Sequence, residues 1–345
     1  MPAAPAIRGL GCLSCLGDGI AAHLDAIERG RSGLRPLTSL APHFPDISAG
    51  WISPRSLLAD RRWAPASMAA LHVVRQAIAD AGWENDDLTD VPVFAAGSRG
   101  NLAGWLEPWP DRRPLPLMAA SNSIPCEPAA AIAHHYAIRA PWHFTASGCC
   151  AGLDALIQAT IHLQACRATR AIVVAVDLPL VAPLLDSFAT TGMLDQHDQP
   201  GMCPAEAAAA VCIDLDSAPA VRMLDDISGT DAMARFGGNR PLPVLKDLLA
   251  RMLSRHDMPA LCIPHASGTA AHAIHETSVL DAVLPAATRR LAIKPLTGHA
   301  LGASALLETV IAAAGLRLSP SPSSTLKIAS ALGGKHSIAL LGSPS

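Results

Sequence analysis

Short β-branched runs alternate along the chain with longer segments whose apolar residues recur at helical spacing, a pattern that predicts an α/β protein. Val91–Ala96, Ala171–Val176, Ala260–Pro264, Leu291–Lys294 and Ile338–Leu341 read as strands. Ile20–Arg29, Ser67–Ala81, Ala129–Tyr136, Cys150–Ala165, Leu242–Arg255, Glu276–Leu284 and Ala303–Ala314 read as helices. Gly30, Pro141, Pro200 and Gly315 punctuate these segments. Glu107–Pro116 (EPWPDRRPLP) holds too much proline for either element and reads as an ordered loop. No short repeat period is present. Each half holds strand-like runs followed by buried helices, and no linker-like composition separates them. The expected organisation is therefore two halves, residues 1–215 and 216–345, in one body.

Composition narrows the function classes. Half of the 345 residues are hydrophobic and 16% are charged, against about 25% charged in an average soluble domain. That is ample apolar surface to offset chain entropy, which excludes a disordered protein. The net charge is −3 and no basic stripe stands out, so nucleic acid is not expected as a partner. Apolar stretches such as Ala207–Ile213 fall far short of the ~20 residues of a spanning helix. The opening MPAAPAIRGLGCLSCLG lacks a basic n-region before a long apolar core, so no signal peptide is read. Nine cysteines, an odd number, fit a reducing cytoplasm better than a disulfide framework.

The segment Phe144–Val176 carries the first candidate chemistry. A strand over His143–Ala146 is predicted to turn at Ser147–Gly148, with a helix opening at Cys149 or Cys150. A thiol at a helix N-terminus feels unpaired amides and the positive end of the dipole, which favours thiolate. The same amides can hold an oxyanion. The competing reading is an inert buried cysteine. Two further segments, Pro264–Glu276 (PHASGTAAHAIHE) and Lys294–Ala305 (KPLTGHALGASA), each place a histidine beside a strand end and a glycine-containing turn. Cys12 and Cys15 form a CxxC with no second pair, which is not a zinc ribbon. His272, His275 and Glu276 share helical spacing but match no metalloprotease pattern. They read as structural or cleft-lining residues. Arg61–Arg62 and Arg112–Arg113 are small cationic pairs.

Together these segments resemble the β-ketoacyl synthases, the elongating condensing enzymes of fatty-acid and polyketide assembly. Gly9–Gly17 (GLGCLSCLG) is similar to the family's GLGxxSxxG, and Arg29–Leu34 (RGRSGL) to its xGxSGI. Cys149–Leu156 (CCAGLDAL) resembles the run that opens with the nucleophilic cysteine. A gapless count from Cys149 brings Val173–Asp177 onto a family strand ending in a small residue and an acid, and Phe188 onto its GF motif. This count favours Cys149 over Cys150. His265–Glu276 resembles HGTGTxxxDxxE, Lys294–Ala305 resembles KxxxGHxxGAxG, and Ala331–Gly334 stands in the place of GFGG.

The resemblance implies a thiolase-like α/β fold of two pseudo-repeated βαβ halves layered α-β-α-β-α. It implies Cys149 as the acyl-accepting nucleophile, with His265 and His299 as donors to the enolate formed on decarboxylation. The amides of Cys149 and Leu332 would form the oxyanion hole, and Lys294 and Glu276 would support the histidines. Phe188 and Ser330 fall at the substrate gate, and Arg61 and Arg62 on a helix that docks carrier proteins. The implied partners are acyl carrier protein with its phosphopantetheine-linked acyl and malonyl thioesters, and a second ketosynthase chain in a homodimer or heterodimer. The dimer is expected to pair a strand near Ala171–Val176 across a two-fold axis. No cofactor or metal is implied.

The chain departs from the family at Ala273 for the aspartate of HGTGTxxxD, at Ala266–Ser267 for Gly–Thr, at Ser330 for the gating aromatic, at Leu332 for the second Phe, and at Lys335–His336 for Thr–Asn. The segment between Asp195 and Ala207 is also shortened. The alternative function is a non-elongating chain-length-factor-like partner subunit, though such subunits usually lack the cysteine kept here. A thiolase would need a second cysteine near the C-terminus, and the last one here is Cys262. An initiation-type synthase would pair His with Asn.

Overall fold

A computed structural model describes residues 4–343 apart from 61, 102–123, 196–199, 217 and 233–240. Arg61, the proline-rich segment 107–116 and the Arg112–Arg113 pair lie outside the described residues. The strands are β1 (Ala6–Ser14), β2 (Gly17–Asp18), β3 (Arg35–Pro36), β4 (Ser48–Ala49), β5 (Val93–Ala96), β6 (Trp142–Thr145), β7 (Arg170–Asp177), β8 (Ala207–Asp214), β9 (Val221–Thr230), β10 (Leu261–Ile263), β11 (Arg289–Arg290), β12 (Ser324–Ala331) and β13 (Lys335–Gly342). The helices are α1 (Ile20–Glu28), α2 (Pro65–Ala81), α3 (Glu127–His135), α4 (Ala151–Gln164), α5 (Ala182–Thr190), α6 (Pro243–Leu253), α7 (Ala270–Val283), α8 (Lys294–Thr297) and α9 (Leu301–Arg317).

Two sets of five strands share one topology. In the first, the order is β1-β8-β7-β5-β6, antiparallel for the first two pairings and parallel for the last two. In the second, β9-β13-β12-β10-β11 repeats that order and those senses. Among the described residues, only Ala6↔Arg222 and Ile7↔Val221 join the sets edge to edge.

Alternation along each strand builds the layers, because successive side chains leave opposite faces. In β7, Ala171, Val173 and Ala175 face inward with α4 and α9, while Ile172, Val174 and Val176 face α2 and α3. In β12 and β13, Leu326, Ile328, Ile338 and Leu340 face α6 and α7. The result is the α-β-α-β-α sandwich of a thiolase-like fold, with α4 and α9 as its middle layer. Within α9 only Gly315 and Arg317 escape burial. No helix among the described residues is long and apolar enough to cross a membrane.

Small residues let the layers close up. Added Cβ atoms at Gly9 and Gly11 of β1 would lie 1.9 Å from Ala77 O and 2.1 Å from Val73 O, so α2 rides directly on the bare strand. Gly11→Val is accordingly expected to cost about 3 kcal/mol or more, by overpacking against rigid backbone. Thermal unfolding of the purified variant checks this, and an unchanged midpoint contradicts the close approach.

Three expectations need correction. Leu291–Lys294 is not a strand: pairing stops at Arg290, and Lys294 opens α8, where Pro295 presets helical φ in the first turn. The helix expected from Glu276 begins at Ala270, directly after Thr269. Finally, Ala171–Val176 cannot pair across a two-fold axis, because β7 is hydrogen-bonded to β5 and β8 on both sides. Among the described residues, the free edge of that set is β6.

Candidate active site

The predicted turn before α4 is a single 3-10 turn, Gly148–Cys150. Gly148 has φ +61°, and a Cβ there would press to 3.3 Å from Ala331 Cβ. The two cysteines then part company. Cys150 is fully buried, with its Sγ 3.7 Å from Lys335 O. Cys149 keeps a partial opening onto a cavity of about 500 Å³.

His265 follows β10 and is fixed through its backbone. Its amide and that of Ala266 donate to the two oxygens of Glu276, at 2.7 and 2.8 Å. Lys294 Nζ donates to His265 O and lies 2.7 Å from Glu308 Oε1, while Lys327 Nζ lies 2.6 Å from Glu308 Oε2. Both expected supports of the histidines thus act on His265, from α7 and α8. The Glu308–Lys327 half of this buried network was not anticipated, because neither residue falls in a motif. His299 sits between α8 and α9. Its amide donates to Cys203 O at 2.7 Å, and its Nδ1 lies 3.1 Å from Ser304 Oγ.

Asp177, at the end of β7, ties the surrounding loops together. It accepts the amides of Ser98, Arg99 and Gly302 at 2.8, 3.1 and 2.8 Å. Burial still raises its carboxyl to about 6.

These elements bring Cys149, His265 and His299 together: Sγ and one ring nitrogen of each histidine lie within 4.8 Å of one another. The imidazole centroids are 5.3 Å apart and edge-to-face. Phe188, Ser330 and Leu332 also line the cavity. So does His272, whose Nε2 lies 3.7 Å from Glu276. Arg62 is exposed ahead of α2, away from the cavity lining.

Burial pushes the Cys149 thiol up to about 11, against the pull of Lys294 and Arg99. The expected thiolate therefore gives way to a resting thiol. Burial, followed by the Lys294 charge, holds both histidines well below their usual value. They are neutral imidazoles, each able to donate one N–H and accept one proton. The thiol and two imidazoles are also donors that zinc accepts. The same lysine charges that oppose imidazolium oppose a divalent cation, so the set fits proton transfer and oxyanion binding better.

Comparison with known proteins bears on the family and the fold. The family model for the beta-ketoacyl synthase N-terminal domain matches residues 5–217. No curated protein sequence matches the chain. Among solved structures, a chain of AntDE:AntF, a type II polyketide synthase acyl-carrier protein in complex with its ketosynthase, superposes with a TM-score of 0.81 at 20% identity, covering 99% of this chain and 100% of that one. The ishigamide ketosynthase/chain length factor gives 0.83 at 18% identity, with 99% and 100% covered. The ketosynthase from module 6 of the bacillaene synthase of Bacillus subtilis 168 gives 0.81 at 15% identity, with 98% and 72% covered. The chain belongs to the beta-ketoacyl synthase family.

Proposed function

We propose that the protein is a condensing acyltransferase acting on carrier-bound thioesters. The observation that carries this reading is the convergence of Cys149, His265 and His299 on one cavity. The reading divides the chain into an N-terminal half, 1–215, that supplies the thiol and a C-terminal half, 216–345, that supplies both imidazoles.

Cys149 gives up its proton to a neighbouring imidazole as Sγ attacks an acyl thioester, and the departing carrier thiol takes that proton back. The amides of Cys149 and Leu332 hold the tetrahedral oxyanion. A malonyl thioester then enters and loses CO₂. The N–H groups of His265 and His299 hold the carbonyl oxygen as it becomes an enolate. The enolate carbon attacks the acyl-cysteine and expels the Cys149 thiolate, which takes a proton from water to restore the thiol. A covalent intermediate thus divides one difficult step into two. Arg62, together with Arg61, supplies positive charge to steer an acidic carrier protein.

Intact-mass measurement after mixing with acyl-loaded carrier proteins of graded chain length tests the proposal. The expected result is a mass gain of one acyl group, graded with chain length. Absence of any adduct across the panel favours the chain-length-factor-like role instead.

The same reading assigns β6 as the edge that meets a second ketosynthase chain, itself or a sister. Among the described residues β6 pairs only with β5, and Trp142 on it is 42% exposed. Trp142→Glu is expected to convert the dimer to monomer in light scattering; a monomeric parent protein defeats this assignment.

A further inference from the structure

Two side chains of the cavity wall that take no part in the condensing steps above belong to a second hydrogen-bonded chain. Ser330 on β12 and His336 on β13 are direct partners in the antiparallel register. Ser330 Oγ lies 2.8 Å from His336 Nδ1, and His336 Nε2 lies 3.0 Å from Asp231 Oδ2, just past the end of β9. The other Asp231 oxygen accepts the Val244 amide at 3.0 Å, and the Asp231 amide donates to Gly334 O at 2.8 Å. The carboxylate is thereby held on both sides. All three residues are buried, yet Ser330 and His336 both line the cavity that Cys149 faces.

The proton order follows from donor and acceptor capacity. An ionised carboxylate only accepts, so His336 Nε2 carries the ring proton. Nδ1 is then a lone pair, and the Ser330 hydroxyl is the group that donates to it. Burial lowers the His336 basicity and Asp231 raises it, leaving the imidazole neutral. This is the nucleophile–base–orienting acid relation of acyl-transfer triads, which is recognised by geometry and roles. A purely structural polar cluster would serve as well beneath the sheet; this one instead has both Ser330 and His336 on the cavity wall.

We propose that Ser330, His336 and Asp231 form a second acyl-transfer centre, which takes acyl groups from thioesters or esters held in the cavity and releases them to water. Ser330 Oγ bonds to the acyl carbon while its proton passes to His336 Nδ1. The C–S or C–O bond breaks, and the leaving thiol or alcohol takes that proton. Water then attacks the serine ester, giving its proton to His336; the carboxylic acid departs and Ser330 Oγ is reprotonated. Net, one thioester and one water give one acid and one thiol. The amides of the Leu332–Gly333 turn, one residue beyond Ala331, are assigned to the oxyanion. Asp231 acts as a positioning residue.

The test is independent of condensation. An alkyl fluorophosphonate is expected to form a covalent adduct that peptide mapping places on Ser330. The Cys149→Ala protein is expected to hydrolyse p-nitrophenyl hexanoate, and adding His336→Gln is expected to slow this at least about a hundredfold. No Ser330 adduct on protein whose Cys149 is still alkylated by iodoacetamide overturns the proposal. Equal hydrolysis with and without His336→Gln also overturns it. Labelled Ser330 on protein whose Cys149 accepts no acyl group supports this centre and defeats the condensing reading alone.

Discussion

Cys149→Ala is expected to abolish acyl-enzyme formation, while Cys150→Ala leaves most of it in place. The two thiols are adjacent in sequence and differ in what they meet. Cys149 opens on the cavity beside two imidazoles, whereas Cys150 is enclosed beneath β13 with its sulfur toward Lys335 O. Only the first has both an approach for an acyl carbon and a base to take its proton. With burial raising the thiol to about 11, that base is essential, because at neutral pH about one thiol in ten thousand ionises unaided. Removing Cys150 Sγ leaves a small cavity, at a cost of about 1 kcal/mol. Intact mass after exposure to acyl-carrier protein separates the variants. An undiminished adduct on Cys149→Ala ends the assignment.

His265→Ala and His299→Ala are expected to slow malonyl decarboxylation by at least about a hundredfold, and to slow loading of Cys149 less. A lost donor to a developing oxyanion costs on the order of 3 kcal/mol. Both imidazoles are held neutral by burial and by Lys294, so each offers one N–H to an enolate oxygen. In loading, either histidine can accept the Cys149 proton when the other is gone, so single losses weigh less there. Single-turnover loading and CO₂ release measured on the same preparations make the comparison. Unchanged decarboxylation in both variants removes the enolate-holding role.

Legibility followed local chemistry. Strand β7, RAIVVAVD, announced itself by β-branched residues, and Lys294–Ala305 placed His299 through closely spaced turn glycines. Strand β8, AAAAVCID, did not read as a strand, since alanine has little strand preference and fits there only because helices press on both faces. β12 was hidden by Lys327, a charge in mid-strand that is buried only because Glu308 of α9 meets it. Pairing register was equally invisible. Ser330 and His336 stood out singly as departures from a family pattern, but their contact arises from the hairpin, and Asp231 joins them from a distant strand.

The middle position of α9 has a consequence for biosynthesis. The first strand set is complete once β8 has been made, but the helix that covers its inner face is encoded from Leu301 onward. At typical ribosome speeds that interval lasts on the order of 10 s. During it, the inward alanines and valines of β7 and β8 lack one of the two helices of their covering layer, and α4 remains to shield them. The nascent N-terminal half therefore keeps apolar surface uncovered until nearly the whole chain has been made.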